Sequence, residues 1–349
     1  MKTLAKITEK ALENNILPDS LIRFGIRGLL KEKLKVEYEK DKEFGESRIS
    51  TFIDQLKKSP IAVNTTEANE QHYEVPTEFF KLVMGKHMKY SCGYWNEGVT
   101  DFDQSEQDML ELTIARADLK DAQDVLELGC GWGSLSLFMA CKYPDSLITG
   151  VSNSRTQKEY IDSEAKKRGI KNITIITEDM NMFSLKQKFD RVVSVEMFEH
   201  MRNYEKLLDK VSGSLKSDGK LFVHIFTHKN FAYLYELNGG GFDWMARYFF
   251  SGGIMPSNDL LLNFDKNFKL EQRWEVQGTH YQKTSEAWLA NMDQHRAEIM
   301  PILKDTYGKD YKKWWVYWRV FFISCAELWG YENGSEWMVS HYLFNKKEI

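Results

Sequence analysis

A change of rhythm between about residues 120 and 230 limits this chain's fold more than any other feature. Short apolar runs alternate there with stretches of helical periodicity. Strands are predicted at 124–128, 147–151, 173–177, 189–195 and 220–225. Helices are predicted at 134–141, 156–168 and 204–214. Repeated strand-helix alternation reads as a parallel sheet covered by helices on both faces. The expected class is α/β, a doubly wound, Rossmann-like sheet, with binding at the carboxyl ends of the strands.

The flanks read differently. Residues 1 to about 60 are helical and rich in Lys and Glu, with a mixed amphipathic stripe over Leu21, Ile22, Phe24, Gly25, Ile26, Leu29 and Leu30. Such a stripe packs on a main domain or lies on a membrane surface; packing is the expected outcome. A linker is expected from Ser59 to Thr66, which makes residues 1–65 an extension and 66–349 the main domain. After about 230, Gly239-Gly240-Gly241 and Ser251-Gly252-Gly253 mark loops. Helical, aromatic-rich sequence surrounds them, with late strands expected at 268–277 and 342–345. Residues 230–340 therefore read as a cap over the sheet.

Composition narrows the classes of function. The net charge is -4 in 349 residues, so no basic excess points to nucleic acid. No apolar run is long enough to span a membrane. The N-terminus leads into charged sequence and lacks the pattern of a signal peptide. Four cysteines, Cys92, Cys130, Cys141 and Cys325, match neither a zinc nor a redox spacing, so no metal is expected and the compartment reads as reducing and cytoplasmic. The ten Trp, concentrated in the second half, suit a core or the walls of a pocket for a flat or cationic ligand.

The first strand, Val125-Leu126-Glu127-Leu128, runs into Gly129-Cys130-Gly131-Trp132-Gly133 and then an apolar helix. Glycines at this turn let the backbone approach a ligand closely and adopt positive φ. Three features separate the loop from a dinucleotide loop. It has no glycine at the sixth place. Glu127 would repel a pyrophosphate but attract the ammonium of a methionine moiety. The second strand ends in Val151-Ser152-Asn153 and not in a ribose-binding acid.

With these residues in view, the sequence resembles the S-adenosylmethionine methyltransferases of the cyclopropane fatty-acid synthase type, and within them the coclaurine N-methyltransferase branch. Several segments after about residue 65 carry the resemblance. They are Gln71-His72-Tyr73-Glu74-Val75-Pro76, Lys89-Tyr90-Ser91-Cys92-Gly93-Tyr94-Trp95, the glycine loop, Gly150-Val151-Ser152-Asn153-Ser154-Arg155-Thr156-Gln157 and Glu196-Met197-Phe198-Glu199-His200-Met201. The tail adds Tyr248-Phe249-Phe250-Ser251-Gly252-Gly253-Ile254-Met255-Pro256-Ser257 and Glu336-Trp337-Met338-Val339-Ser340-His341-Tyr342. The resemblance implies a class I methyltransferase sheet and a cradle for S-adenosylmethionine. In it Tyr90 and Ser91 close over the methionine part, with Gly129 and Gly131 beneath. Ser152, Asn153 and Gln157 take the ribose and adenine side, and Asp179 and Met180 flank the adenine.

Glu196, Glu199 and His200 follow the fourth strand, at the end that faces the crevice. On a regular helix, Glu196 and Glu199 would share a face while Glu199 and His200 diverge by ~100°. Two close carboxylates need a proton, a donor or a cation between them, and an amine supplies a cation. A protonated amine has no lone pair, so methylation needs a group that handles its proton. The resemblance implies that Glu199 and His200 do so, with Glu196 positioning the amine. The expected function is N-methylation of a small, aromatic, benzylisoquinoline-like amine. The alternative is cyclopropane-fatty-acyl-phospholipid synthase-like chemistry, where the resemblance places a bicarbonate at Cys92, Glu199, His224 and Tyr281. Phe226-Thr227-His228-Lys229 and the cluster Trp314, Trp315 and Trp318 resemble the amine enzymes more, with plain core as the other reading of that cluster. The expected partner is a small-molecule amine, without nucleic acid or membrane insertion. The N-terminal residues are expected either to cap the pocket or to support a homodimer.

Overall fold

The computed structural model describes residues 10–63, 75–237 and 243–347. The expected Gly239-Gly240-Gly241 loop, and Gln71 to Glu74, lie outside these residues. Seven strands form one sheet: β1 (Asp124–Leu128), β2 (Leu147–Ser152), β3 (Ile173–Thr177), β4 (Phe189–Val195), β5 (Leu215–His228), β6 (Phe268–Val276) and β7 (Trp337–Lys346). Their order is β3-β2-β1-β4-β5-β7-β6. The first five are parallel, and β7 enters antiparallel between β5 and β6. This is the doubly wound sheet of the class I methyltransferase fold.

The apolar strands fit this architecture because both sheet faces are covered, so they need no alternation. Four of the five residues of β1 and the first eight of β7 are buried. Burial on both sides also explains why β7 extends well beyond the expected 342–345. It pairs with β5 over nine positions, from Lys220↔Asn345 to His228↔Trp337. Helices α5 (Ser134–Lys142), α6 (Arg155–Arg168) and α7 (Tyr204–Ser214) connect the parallel strands, and four earlier helices precede them in the chain. Asp101, Ser154 and Asn203 cap α4 (Phe102–Arg116), α6 and α7 by accepting a backbone N–H from the first turn.

The N-terminal stripe resolves into one face. In α1 (Asp19–Phe44) Ile22, Ile26, Leu30 and Leu34, spaced four apart, point to the core. Leu21 and Phe24 remain exposed. Arg23 bridges Glu286 at 2.6 Å and Glu327 at 2.9 Å, and Arg319 bridges Asp19 at 2.8 Å and Asp293 at 2.7 Å. These pairs clasp α1 to α9 (Gly278–Gln294) and α11 (Tyr311–Gly330), the two long cap helices; α10 (Arg296–Tyr307) lies between them in sequence. The stretch expected to be a free linker is anchored where it is described. Ile61 and Ala62 are buried, Ala62 exchanges hydrogen bonds with Asn181, and Arg202 N–H donates to the Ile61 carbonyl. α2 (Ser47–Lys58) precedes this stretch in the chain and α3 (Thr77–Val83) follows it, and the short α8 (Asp243–Tyr248) packs against the cap.

Candidate active site

The strand order reverses between β1 and β4, and the residues that leave these two strands meet there. β1 ends in the glycine loop. Gly129, Gly131 and Gly133 have φ of 79°, 51° and 77°, the region that favours glycine. A Cβ on Gly129 would lie 2.6 Å from the Cβ of Met197, which follows β4. The glycine is therefore required by the neighbouring turn as well as by its own backbone. The N–H groups of Gly129 and Cys130 both donate to the Val151 carbonyl at 2.9 Å, fixing the loop to β2.

Two adjoining cavities open from this point and share Gly129, Gly131, Gln157, Glu196 and His200. The smaller, about 100 Å³, is bounded by Ser152, Asn153, Asp179 and Met180, all four placed here by sequence, with Glu178 beside them. The larger, about 170 Å³, contains Tyr90, Ser91 and Glu127 on one side and Glu199, Phe226 and Tyr281 on the other. Every residue assigned to the cofactor cradle thus lines one of the two. The Gln157 carboxamide oxygen accepts from the Ser152 hydroxyl at 2.7 Å, leaving its buried Nε2 without a partner where both cavities meet. Glu127 accepts from Ser136, and burial raises its carboxyl to about 8 against the pull of Ser136 and Lys89. A buried acid awaiting a cation, a free amide donor and a glycine cradle fit an amino-acid-bearing nucleoside.

Two residues at the site, Glu178 and Lys89, are not singled out by the sequence. Glu178 directly follows β3, and that position was the available signal. Lys89 stands beside Tyr90 in a segment already singled out, yet nothing in the sequence shows that it is fully buried. Its ammonium bonds Ser91, and burial lowers its pKa while the Glu196 carboxylate supports the charged form. The segment itself is held by Glu106, which accepts backbone N–H from Gly85, His87 and Lys89 at 3.1, 2.7 and 3.3 Å.

The acid turn departs from the expected helix. Glu196 has a φ of 48°, and only Phe198–His200 form a short 3-10 turn. The left-handed residue turns the Glu196 carboxylate into the cavity wall. Its Oε1 accepts from Cys92 N–H at 3.1 Å and lies 3.1 Å from His224 Nε2, and its Oε2 accepts from the Tyr281 hydroxyl at 2.5 Å. Cys92, His224 and Tyr281 are the residues expected around a bicarbonate. The structure gathers them around Glu196, not Glu199, and the carboxylate they hold is the chain's own. Burial raises the Cys92 thiol well above its usual range, so the residue contributes its backbone donor and not a thiolate.

Glu199 differs sharply from Glu196. It is 1% exposed, and its Oε2 lacks a hydrogen-bond partner. Burial, and then the nearby Glu196, push its carboxyl well above the ordinary range. Burial also raises Glu196, but Lys89, Tyr281 and Cys92 N–H oppose it. Of the two acids, Glu199 has the higher affinity for a proton. His200 lines both cavities, its ring 4.8 Å from that of Phe250.

Aromatic walls complete the larger cavity. Trp329 stacks on Tyr281 at 4.8 Å with 2° between planes, and Phe226 lies 5.3 Å from Trp329. Trp288 and Phe321 also face the space. The cluster Trp314, Trp315 and Trp318 does not line it. Trp315 and Trp318 are buried in the cap core and Trp314 stacks on Tyr307 at 4.3 Å, which favours the core reading of that cluster. Among the described residues no helix is long and apolar enough to cross a membrane, and no group of three or more His, Cys, Asp or Glu is placed to hold a metal.

Known proteins resemble this chain in sequence and in fold. The family model described as mycolic acid cyclopropane synthetase matches residues 62–328. The (S)-coclaurine N-methyltransferase of Thalictrum flavum subsp. glaucum is 38% identical, the alignment covering 97% of this chain and 95% of that protein. That of Papaver somniferum is 37% identical, covering 98% and 99%. A crystal structure of coclaurine N-methyltransferase bound to N-methylheliamine and SAH superposes with a TM-score of 0.94 at 35% identity, covering 98% of this chain and 99% of that one.

Proposed function

The chain belongs to the mycolic acid cyclopropane synthetase family, and on that premise we propose that it transfers a methyl group from S-adenosylmethionine to the nitrogen of a small, benzylisoquinoline-like amine. The observation that carries this reading is the carboxylate of Glu196 seated among Cys92 N–H, His224 and Tyr281. A lipid methylene transfer assisted by bicarbonate needs those donors open to an exchangeable anion. Here a side chain of the protein satisfies them, which argues against that chemistry. The similarity to coclaurine N-methyltransferases over nearly the full length supports the amine reading.

Bound S-adenosylmethionine supplies an electrophilic methyl on a sulfonium. Glu127, Gln157, Ser152, Asp179 and the glycine loop are the residues that would hold it. The chain's other task is to present a neutral nitrogen. Glu199 suits this task because burial raises its proton affinity towards that of an amine. Transfer of the ammonium proton to Oε2 of the Glu199 carboxylate leaves a neutral amine and a neutral acid, the form a desolvated site favours. The nitrogen gains positive charge as its new bond forms, and the Glu196 carboxylate, together with the faces of Trp329, Tyr281 and Phe226, stabilises that charge. His200, next to Glu199, forms the other half of the proton-handling pair. The same reading places the enzyme in the cytoplasm, with residues 1–65 as an extension of the catalytic domain.

Incubation with labelled S-adenosylmethionine and a panel of tetrahydroisoquinolines and simple amines tests the reading. Label should pass to an amine. Transfer to none of them, together with a gain of one methylene in unsaturated phospholipid, would overturn it. Glu199→Ala and His200→Ala should each lower turnover ~100-fold or more while cofactor binding persists. Wild-type turnover in both would remove the pair from the mechanism.

A further inference from the structure

Glu196 is the inner end of a buried chain of hydrogen bonds that crosses the sheet. His224 Nε2 lies 3.1 Å from Glu196 Oε1. His224 Nδ1 lies 2.9 Å from His341 Nε2, and His341 Nδ1 lies 2.9 Å from a guanidinium nitrogen of Arg116. The two histidines are fully buried cross-strand partners on β5 and β7. Arg116 closes α4 and lies half-buried, its guanidinium 5.0 Å from the Trp274 ring on β6.

The chemistry of the donors fixes the direction of this chain. A guanidinium can only donate. His341 Nδ1 must therefore accept, which leaves the proton of its neutral ring on Nε2. That N–H donates to His224 Nδ1, and the proton of His224 is left on Nε2. His224 then donates to Glu196. We propose that Arg116 is a positioning residue for the reaction: it sets the tautomers of His341 and His224 so that Glu196 always faces a donor and stays an ionised acceptor beside the amine. This inference rests on the N-methyltransferase reading for its kinetic consequence, but not for the tautomers themselves.

Burial keeps both rings neutral, since it lowers the pKa of each well below the usual histidine range, with Lys89 and Arg116 adding to the effect. The direction then matters because a neutral imidazole presents either a donor or a lone pair. With the order reversed, a lone pair of His224 would face a lone pair of Glu196. The carboxylate would have to take up a proton or turn away, and the charge that stabilises the forming ammonium would be lost.

The test is two-bond nitrogen–proton correlation NMR on the full-length protein labelled at histidine, with His224→Gln and His341→Gln used for assignment. In the wild type both rings should carry the proton on Nε2. Arg116→Leu should release that preference, giving an Nδ1–H form in at least one ring. It should also lower kcat by about tenfold or more with little change in KM for S-adenosylmethionine. Arg116→Lys, which retains a donor, should restore both the tautomers and most of kcat. A wild-type ring protonated on Nδ1, or Arg116→Leu with both rings unchanged, would overturn the inference. The wild-type spectrum decides even if Arg116→Leu fails to fold. Correct tautomers in a protein that methylates no amine would instead refute the proposed function.

Discussion

Replacing Glu127 with Gln tests the cofactor side with a calculable result. Burial holds this carboxyl at about 8. At pH 7 it is therefore about nine-tenths protonated in the free protein, and the rise from the ordinary value of 4.5 weighs roughly 5 kcal/mol against the ionised form. The ammonium of a bound methionine moiety favours the carboxylate. The sign follows: a raised carboxyl that ionises on binding releases a proton, so affinity climbs as pH rises towards 8. The ligand's own amino group titrates near 8 and takes up a small fraction of a proton at pH 7. The net release at pH 7 is then roughly three-quarters of a proton. Affinity should rise nearly tenfold from about pH 6 to 7, rise less from 7 to 8, and pass a maximum near 8. Calorimetric titration with S-adenosylhomocysteine in two buffers of different ionisation enthalpy reads both quantities. In Glu127→Gln the rising limb should vanish, the release should become a slight uptake, and affinity at pH 8 should fall about ten- to a hundredfold. An affinity that is flat from pH 6 to 8 in the wild type, or unchanged proton release in the variant, would refute the assignment of Glu127 to the ammonium.

Three further outcomes follow from the geometry. Gly129→Ala places a Cβ 2.6 Å from Met197 at a φ of 79°, and should cost about 1–3 kcal/mol of stability and abolish thermal stabilisation by S-adenosylhomocysteine, read by differential scanning fluorimetry. Glu196→Gly should fold, because its φ of 48° suits glycine, but should lose amine turnover; millimolar bicarbonate or formate should then raise its melting temperature and leave that of the wild type unchanged. Trp329→Ala removes the ring stacked on Tyr281 and should raise KM for the amine about tenfold with no change in cofactor affinity, as steady-state kinetics and calorimetry would show.

The parts of this molecule that were legible in the sequence are those governed by local periodicity. The limits expected for β1, β3, β4 and α7 coincide with the structure, because each is an apolar strand or an amphipathic helix bounded by a cap or a turn. The cofactor cradle was legible for a related reason: its residues sit at the ends of those strands. The extent of β7 was not, since the polar pair Ser340 and His341 interrupts its apolar run although both are buried. The contrast between the surroundings of Glu196 and Glu199 was hidden as well. A helical reading of residues 196–200 sets both acids on one face, whereas a single left-handed residue sends one into a donor set and leaves the other without a partner. Nor do the identities of His224, His341 and Arg116 show that they touch. Register between β5 and β7 brings the histidines together, and the packing of α4 adds the arginine.

The clasp between α1 and the cap helices also bears on the order in which the enzyme is assembled. Arg23 and Glu327 stand 304 residues apart, as far as almost any two positions in the chain. As the chain leaves the ribosome, α1 emerges first and meets its acidic partners last. β1 to β5, with the glycine loop and the acid turn, are complete before α11 has been synthesised. The half that holds the cofactor can thus take shape while the acceptor's aromatic wall is still missing, and the two ends of the chain close the molecule together in a final step.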